Sequence, residues 1–221
     1  MMPRTALLVC GILSSLVYAF TDILAALSWE GYHYASQAVS ELSAVGAPTR
    51  PYVLPSMVAY DLLVIAFGFG VRSSAGASHA LRTTGACLIV IGLVGLAAIL
   101  FPMHLRGAGR TFSDTMHIVL TAVTVLCIVA AIGTSARAFG KTFRLYAIAT
   151  ILILVVFGVL TGLDGPRVGA NLPTPFLGIT ERINIGAYLL WTTVLALLLL
   201  GTRAAGRDAD TGPAETVIRR G

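Results

Sequence analysis

Six long apolar stretches punctuate the chain, at roughly residues 5–27, 52–71, 83–101, 115–136, 145–163 and 182–202. Each is dominated by Leu, Ile, Val and Ala, and none alternates with polar residues, which excludes the strands of a transmembrane barrel. A bilayer core about 30 Å thick is crossed by about 20 apolar helical residues. Each stretch therefore predicts a transmembrane helix. The first is too long for the core of a signal peptide and is followed by five more, so it reads as a retained span. The predicted fold is all-α: a six-transmembrane-helix bundle over 1–203, then a disordered polar tail over 204–221 containing Asp208, Asp210, Gly212 and Pro213.

Composition supports the pattern. Hydrophobic residues make up 57% of the 221 and charged residues 11%, against about 25% charged in a soluble domain. So little charge cannot cover a water-exposed surface of this size. Disorder as a whole and a secreted disulfide scaffold are excluded on the same grounds. The three cysteines, Cys10, Cys87 and Cys127, fall within predicted spans without a CxxC and read as small buried apolar residues.

Charge adds orientation. Arg4, Arg72, Arg82, Arg137, Lys141, Arg144, Arg203, Arg207, Arg219 and Arg220 fall on one side of the bundle, and Arg50, Arg106, Arg110, Arg167 and Arg182 on the other. The positive-inside rule then predicts both termini in the cytoplasm. The net charge of +5 reflects topology and contact with anionic lipid headgroups, because no basic stripe with interleaved aromatics suggests nucleic acid. The near-absence of Lys beside Arg suggests a GC-rich bacterial genome, hence a bacterial inner (plasma) membrane.

Chemistry concentrates in the outer connections and the span ends beside them. The first connection, from Ser28 to Pro51, carries Trp29, Tyr32, His33, Tyr34, Glu41 and Arg50. The second, Pro102 to Ser113, carries His104, Arg106 and Arg110. The third is expected from Asp164 to Thr180 and leads into Glu181 and Arg182. Trp29 to Tyr34 read as an interfacial aromatic belt.

Gly46 and Pro48 fix turns, and Pro51 keeps Arg50 extended. Glu41 and Arg50 are thus expected at set positions above the bundle mouth, with a re-entrant or interfacial helix around Tyr34 to Ala44. Asp22 lies near the outer end of the first span, where either a headgroup or a functional role suits it. Asp61 lies halfway along the second. A charge at mid-span costs about 2.5–3.5 kcal/mol on insertion scales and marks a functional candidate. A structural hydrogen bond across the bundle is the other reading.

Asp114 and His117 share a helix face, with His104 just before. Three readings are open: a divalent metal site built from His104, Asp114 and His117; helix-start chemistry with Ser113 as the cap; or proton transfer. Arg182 suits either a lipid phosphate or an outer-loop carboxylate.

The stretch Ser40-Glu41-Leu42-Ser43-Ala44-Val45-Gly46-Ala47-Pro48-Thr49-Arg50-Pro51 is the most distinctive text. Together with Phe101-Pro102, His117 and Glu181-Arg182, it resembles a family of bacterial multi-pass membrane proteins known as domain of unknown function 998. Ser43 stands where Gly is expected. The resemblance spans roughly residues 5–202 and implies six helices, with no activity attached. A looser similarity, to the membrane hydrolases that include alkaline ceramidases, lacks their HxxxH motif and has fewer helices.

The expected function is a membrane-embedded enzyme acting on a lipid, isoprenoid or other apolar substrate. Glu41, Asp61, Asp114 and His117 would carry acid/base work, and Asp22, Arg50, Glu181 and Arg182 would bind substrate. One divalent ion is the expected cofactor, if any, and membrane lipids are the expected partners. A small proton-coupled transporter centred on Asp61 and a non-catalytic accessory subunit are the alternatives.

Overall fold

A computed structural model describes residues 3–210, with side chains as far as Thr202. Among them are six helices: α1 (Arg4–Ser28), α2 (Arg50–Ser74), α3 (His79–Ala98), α4 (Phe112–Ser135), α5 (Lys141–Gly169) and α6 (Leu177–Asp210). Each is long and apolar enough to cross a membrane. No strand occurs among the described residues, only an isolated bridge between Val45 and His104. The first residues of the expected disordered tail, 204–210, continue helix α6, and the rest, 211–221, lies outside the described residues.

Local chemistry sets the helix starts. Pro51 occupies the first turn of α2, where its missing N–H costs nothing. Ser78 caps α3 by accepting from Leu81 N at 3.3 Å. Thr111, not Ser113, caps α4: its Oγ1 accepts from Asp114 N at 3.3 Å. Ser113 instead donates to Pro102 O at 2.7 Å. Thr111 wins because Asp114 then stands at the third helical position and reaches back to Thr111 N at 2.8 Å, closing a capping box.

Most helix ends differ from expectation by a few residues, and α6 begins at Leu177, ahead of the expected 182. α3 stops at Ala98, before Phe101-Pro102. α5 continues through Asp164, Gly165 and Pro166 to Gly169, which shortens the third connection to residues 170–176. Hydropathy marks where lipid ends, whereas backbone hydrogen bonding runs on into the interface, here with Asp164 and Arg167 paired at 3.7 Å along the helix.

In space the neighbours run α5–α6–α1–α2–α3–α4, with a thinner α4–α5 contact closing the round. The core holds Leu8, Val64, Phe67, Leu88, Ile132, Trp191 and Leu195. Leu16, Phe20, Leu27, Leu126, Leu152 and Leu163 stand exposed, the outward apolar surface that lipid requires. Since lipid gives helices no hydrophobic reason to associate, close packing and interhelical hydrogen bonds hold them together. Examples are Ser15 Oγ to Leu189 O at 3.0 Å (α1–α6), the Thr84–Thr134 hydroxyl pair at 2.9 Å (α3–α4) and Asn184 Nδ2 to Leu154 O at 2.9 Å (α5–α6).

The α4–α5 seam is uneven. α5 buries only Phe143, Ala147, Thr150 and Leu154, all in its first half. α4 buries Asp114 at its start and then nothing until Ile128. The two helices therefore part along the half of the bundle nearest the 3–4 and 5–6 connections.

Candidate functional site

The connections 1–2 (residues 29–49), 3–4 (99–111) and 5–6 (170–176) meet at one end of the bundle and are tied together by hydrogen bonds. Val45 N donates to Met103 O at 2.8 Å, and Ile179 N, in the first turn of α6, donates to Ala35 O at 3.2 Å. Thr174 Oγ1 donates to Ser36 O at 2.7 Å. Within the first connection, the expected short helix is a 3-10 turn over Val39–Ser43. It is fastened to the start of α2 by Thr49 Oγ1 donating to Leu42 O and Arg50 Nη1 donating to Ser43 O, both at 2.5 Å.

Two arginine–carboxylate forks anchor this end. Glu41 is 2% exposed and takes Arg106 through Nε at 2.9 Å and Nη2 at 2.6 Å. Ala38 N at 2.9 Å and Gln37 Nε2 at 3.2 Å also donate to it. Burial pushes the Glu41 carboxyl up, but the Arg106, Ala38 and Gln37 donors outweigh it and hold the group below its ordinary value. Glu41 is thus locked inside the loop cluster by Arg106, rather than poised at the mouth beside Arg50.

Asp22 and Arg182 form the second fork, with Nε to Oδ2 and Nη2 to Oδ1 both at 2.9 Å. Arg182 also donates to Tyr32 Oη at 2.9 Å, Tyr34 O at 2.8 Å and Gly178 O at 3.2 Å. Its guanidinium lies 3.6 Å from the Tyr34 ring centroid. All five guanidinium hydrogens have acceptors. The partner of Arg182 is thus a carboxylate on α1, neither a lipid phosphate nor an outer-loop acid. Tyr32 and Tyr34, read from sequence as belt residues, form the walls around it. Burial pushes the Tyr32 hydroxyl up to about 12. Gly178 makes room for this packing, because any Cβ there would strike the carbonyl oxygens of Tyr34 and Gln37.

Between the 3-10 turn, the second connection and the ends of α4, α5 and α6 lies a cavity of about 180 Å³. Its polar lining comprises Ser40, Glu41, His104, Arg106, Arg110, Asp114, Thr161 and Glu181. Ile118 of α4 and Gly165 and Gly169 of α5 form the wall on the side where those helices part.

His104 Nδ1 stands 3.1 and 3.2 Å from the Asp114 oxygens. Asp114 also accepts from His104 N, Thr111 N and Thr111 Oγ1. A carboxylate only accepts, so a neutral His104 ring carries its proton on Nδ1 and presents Nε2 as an acceptor. No described residue hydrogen-bonds to that Nε2. Glu181 accepts from Val39 N at 2.7 Å through Oε2, while Oε1 has no partner among the described residues. Arg110 has no partner among them either.

The remaining candidates lie apart. His117 turns its Nδ1 to Phe101 O at 3.1 Å and does not join His104 and Asp114. Among the described residues no three His, Cys, Asp or Glu side chains group as a metal set. Of the expected set, His104 and Asp114 meet, while His117 bonds elsewhere.

Asp61 lies deep in the bundle, 5% exposed, with no hydrogen-bond or ion-pair partner among the described residues. Its carboxylate rests against Gly95 of α3, where any Cβ would collide with it. Tyr18, Tyr60 and Tyr188 lie within electrostatic reach.

A family model for a protein of unknown function, DUF998, matches residues 12–198. The chain belongs to the DUF998 family. The match runs from within α1 to within α6 and takes in the three loop-end connections, so the resemblance carried by the loop text extends through the bundle. No curated protein and no solved structure matches the chain. This DUF998 member is a multi-pass membrane protein.

Sequence reasoning passed over Arg106, because three arginines in two loops look alike until the loops are folded together. Its one distinguishing sign is proximity to Gly107 and Gly109, both at positive φ, which turn the chain sharply beside it.

Proposed function

We propose that this DUF998 member is a membrane-embedded enzyme that performs acid/base chemistry on an amphiphilic substrate such as a lipid or isoprenoid derivative. The observation that carries the reading is the His104–Asp114 dyad on the wall of a cavity that adjoins the parted seam of α4 and α5. Asp114 orients the imidazole, and Nε2 accepts a proton from water or a substrate hydroxyl, the division of labour found in His–carboxylate dyads. Glu181, through its unpaired oxygen, serves as the second acid/base group. Arg110 holds an anionic headgroup, and the apolar tail leaves between Ile118 and the small α5 residues. Glu41, Asp22 and Arg182 build the platform, and Arg50 fastens the first loop. The surplus of Arg and Lys on the opposite side, ten against five, supports an orientation with this cavity outward and both termini in the cytoplasm of a bacterial inner membrane.

The test is turnover of amphiphilic esters, amides and phosphates by protein purified in mild detergent. Loss of turnover in both His104→Ala and Glu181→Gln, with folding intact, is the expected result. Turnover indifferent to His104→Ala overturns the reading. Asp61 favours one other reading, a proton-coupled transporter, because an unpartnered carboxylate at mid-membrane suits a proton relay. Proton-driven uptake into liposomes that Asp61→Asn abolishes would select it.

A further inference from the structure

The opposite end of the bundle, where α1 begins, carries a second cavity, of about 420 Å³, between the end of α4 and the start of α5. Gly133, Ala136 and Arg137 line it from one side, and Arg144, Ile148 and Ile151 from the other. Neither guanidinium has a hydrogen-bond or ion-pair partner among the described residues. That contrasts with the loop end, where Arg106 and Arg182 are each forked onto a carboxylate. The contrast follows from where the acids lie. Asp22, Glu30, Glu41, Asp114, Asp164 and Glu181 all belong to the loop end, and Asp61 to the middle. Asp208, Asp210 and Glu215 lie beyond the residues whose side chains are described.

We infer that this cavity is a binding site for an anionic glycerophospholipid, its phosphate held between Arg137 and Arg144 and an acyl chain laid along Ile148 and Ile151. Two unpaired guanidiniums favour phosphate oxygens through charge-assisted hydrogen bonds. A basic pocket between transmembrane helices at the membrane boundary is the geometry that selects acidic headgroups. The rest of the lining is apolar, and Ile148 is 47% exposed on the lipid-facing surface, so a lipid fits better than free phosphate. The cavity has depth because α4 presents Gly133 there: a Cβ at that position would meet nothing closer than Ile151 Cδ1 at 4.0 Å.

The experiment is native mass spectrometry of the full chain in mild detergent. The probes are phosphatidylglycerol, phosphatidylcholine with the same acyl chains, and inorganic phosphate. The wild type is expected to retain phosphatidylglycerol in preference to phosphatidylcholine. Arg137→Gln and Arg144→Gln are each expected to weaken that retention about fivefold, the ratio one basic residue at an anionic surface carries. Gly133→Phe keeps both charges and fills the cavity, so it is expected to lose phosphatidylglycerol as well while eluting as a folded protein. Equal retention of the two lipids overturns the inference. So does phosphatidylglycerol retention unchanged by Gly133→Phe, or equal competition by inorganic phosphate at matched concentration.

Discussion

The Glu41–Arg106 fork offers the sharpest energetic test of how the loop end is held. Arg106→Met removes two charge-assisted hydrogen bonds from a carboxylate that is 2% exposed, leaving it only Ala38 N and Gln37 Nε2. Bonds of that kind are worth about 1.5–3 kcal/mol each, and breaking one partner of a buried pair costs about 3–5 kcal/mol. The Arg106 side chain is 21% exposed, so water partly compensates and the lower figure, about 3 kcal/mol, is expected. Glu41→Leu also leaves Arg106 and Ala38 N without their acceptor and is expected to cost a similar amount, about 3 kcal/mol. The double variant removes both charges and is expected to cost about 4 kcal/mol rather than the sum, a coupling of about 2 kcal/mol. Equilibrium unfolding in mixed micelles of rising dodecyl sulfate fraction measures all four proteins. Trp29, stacked on Tyr32 at 5.5 Å and packed against the cluster that holds Leu42, reports from the same loop end. A double variant that loses the full sum, to within about 0.5 kcal/mol, would refute the pairing as the organiser of this end.

Three further outcomes are expected. The Glu41 carboxyl is held below its ordinary value in the folded protein, so the unfolded state binds the extra proton as acid is added. Its contribution is complete above the ordinary glutamate value of 4.5 and fades as pH falls below it; acid unfolding curves should show a segment that Glu41→Gln lacks, and identical curves would sink the assignment. Gly95→Ala should destabilise by about 1–3 kcal/mol through overpacking. Most of that should disappear in an Asp61→Ala background, because the atoms its Cβ would meet are those of the Asp61 carboxylate; an undiminished cost there would mean the helix backbones, not Asp61, set the approach. Thr111→Ala should cost about 1 kcal/mol as a lost N-cap and speed amide exchange at Asp114, whereas Ser113→Ala should leave that amide protected.

The six spans were legible because lipid imposes one simple demand, a long apolar helix, that the text states six times. Their ends were less so: Asp164-Gly-Pro reads as a loop, yet the backbone keeps α5 going to Gly169. At the loop end, sequence drew attention to residues that the fold brings together, but not to all of their pairings. Glu41, Asp114 and Glu181 do line one cavity, but Glu41 pairs with Arg106 instead of standing with Arg50, and of the expected group His104, Asp114 and His117 only the first two meet. Charge complementarity says only that an acid needs a base. Which base depends on how three loops knit, and that information lies in Val45, Thr174 and Gly178, residues with no chemical signature of their own. Asp61 was legible as an anomaly, while Gly95, which makes room for it, looked like any other small residue in a span.

The distribution of satisfied and unsatisfied charge separates scaffold from site more sharply than residue type does. Arg182 has every donor occupied and Glu41 takes four hydrogen bonds; a ligand could reach either only by breaking the platform. His104 Nε2, the free Glu181 oxygen and Arg110 have no partner among the described residues to give up, and all three residues line the same cavity. At the other end Arg137 and Arg144 are unengaged in the same sense. Both cavities lie along α4 and α5, the pair whose mutual contact is thinnest. A lipid seated as inferred at Arg137 and Arg144 would fill the gap between the end of α4 and the start of α5, and the proposed substrate would then enter through the other half of the seam.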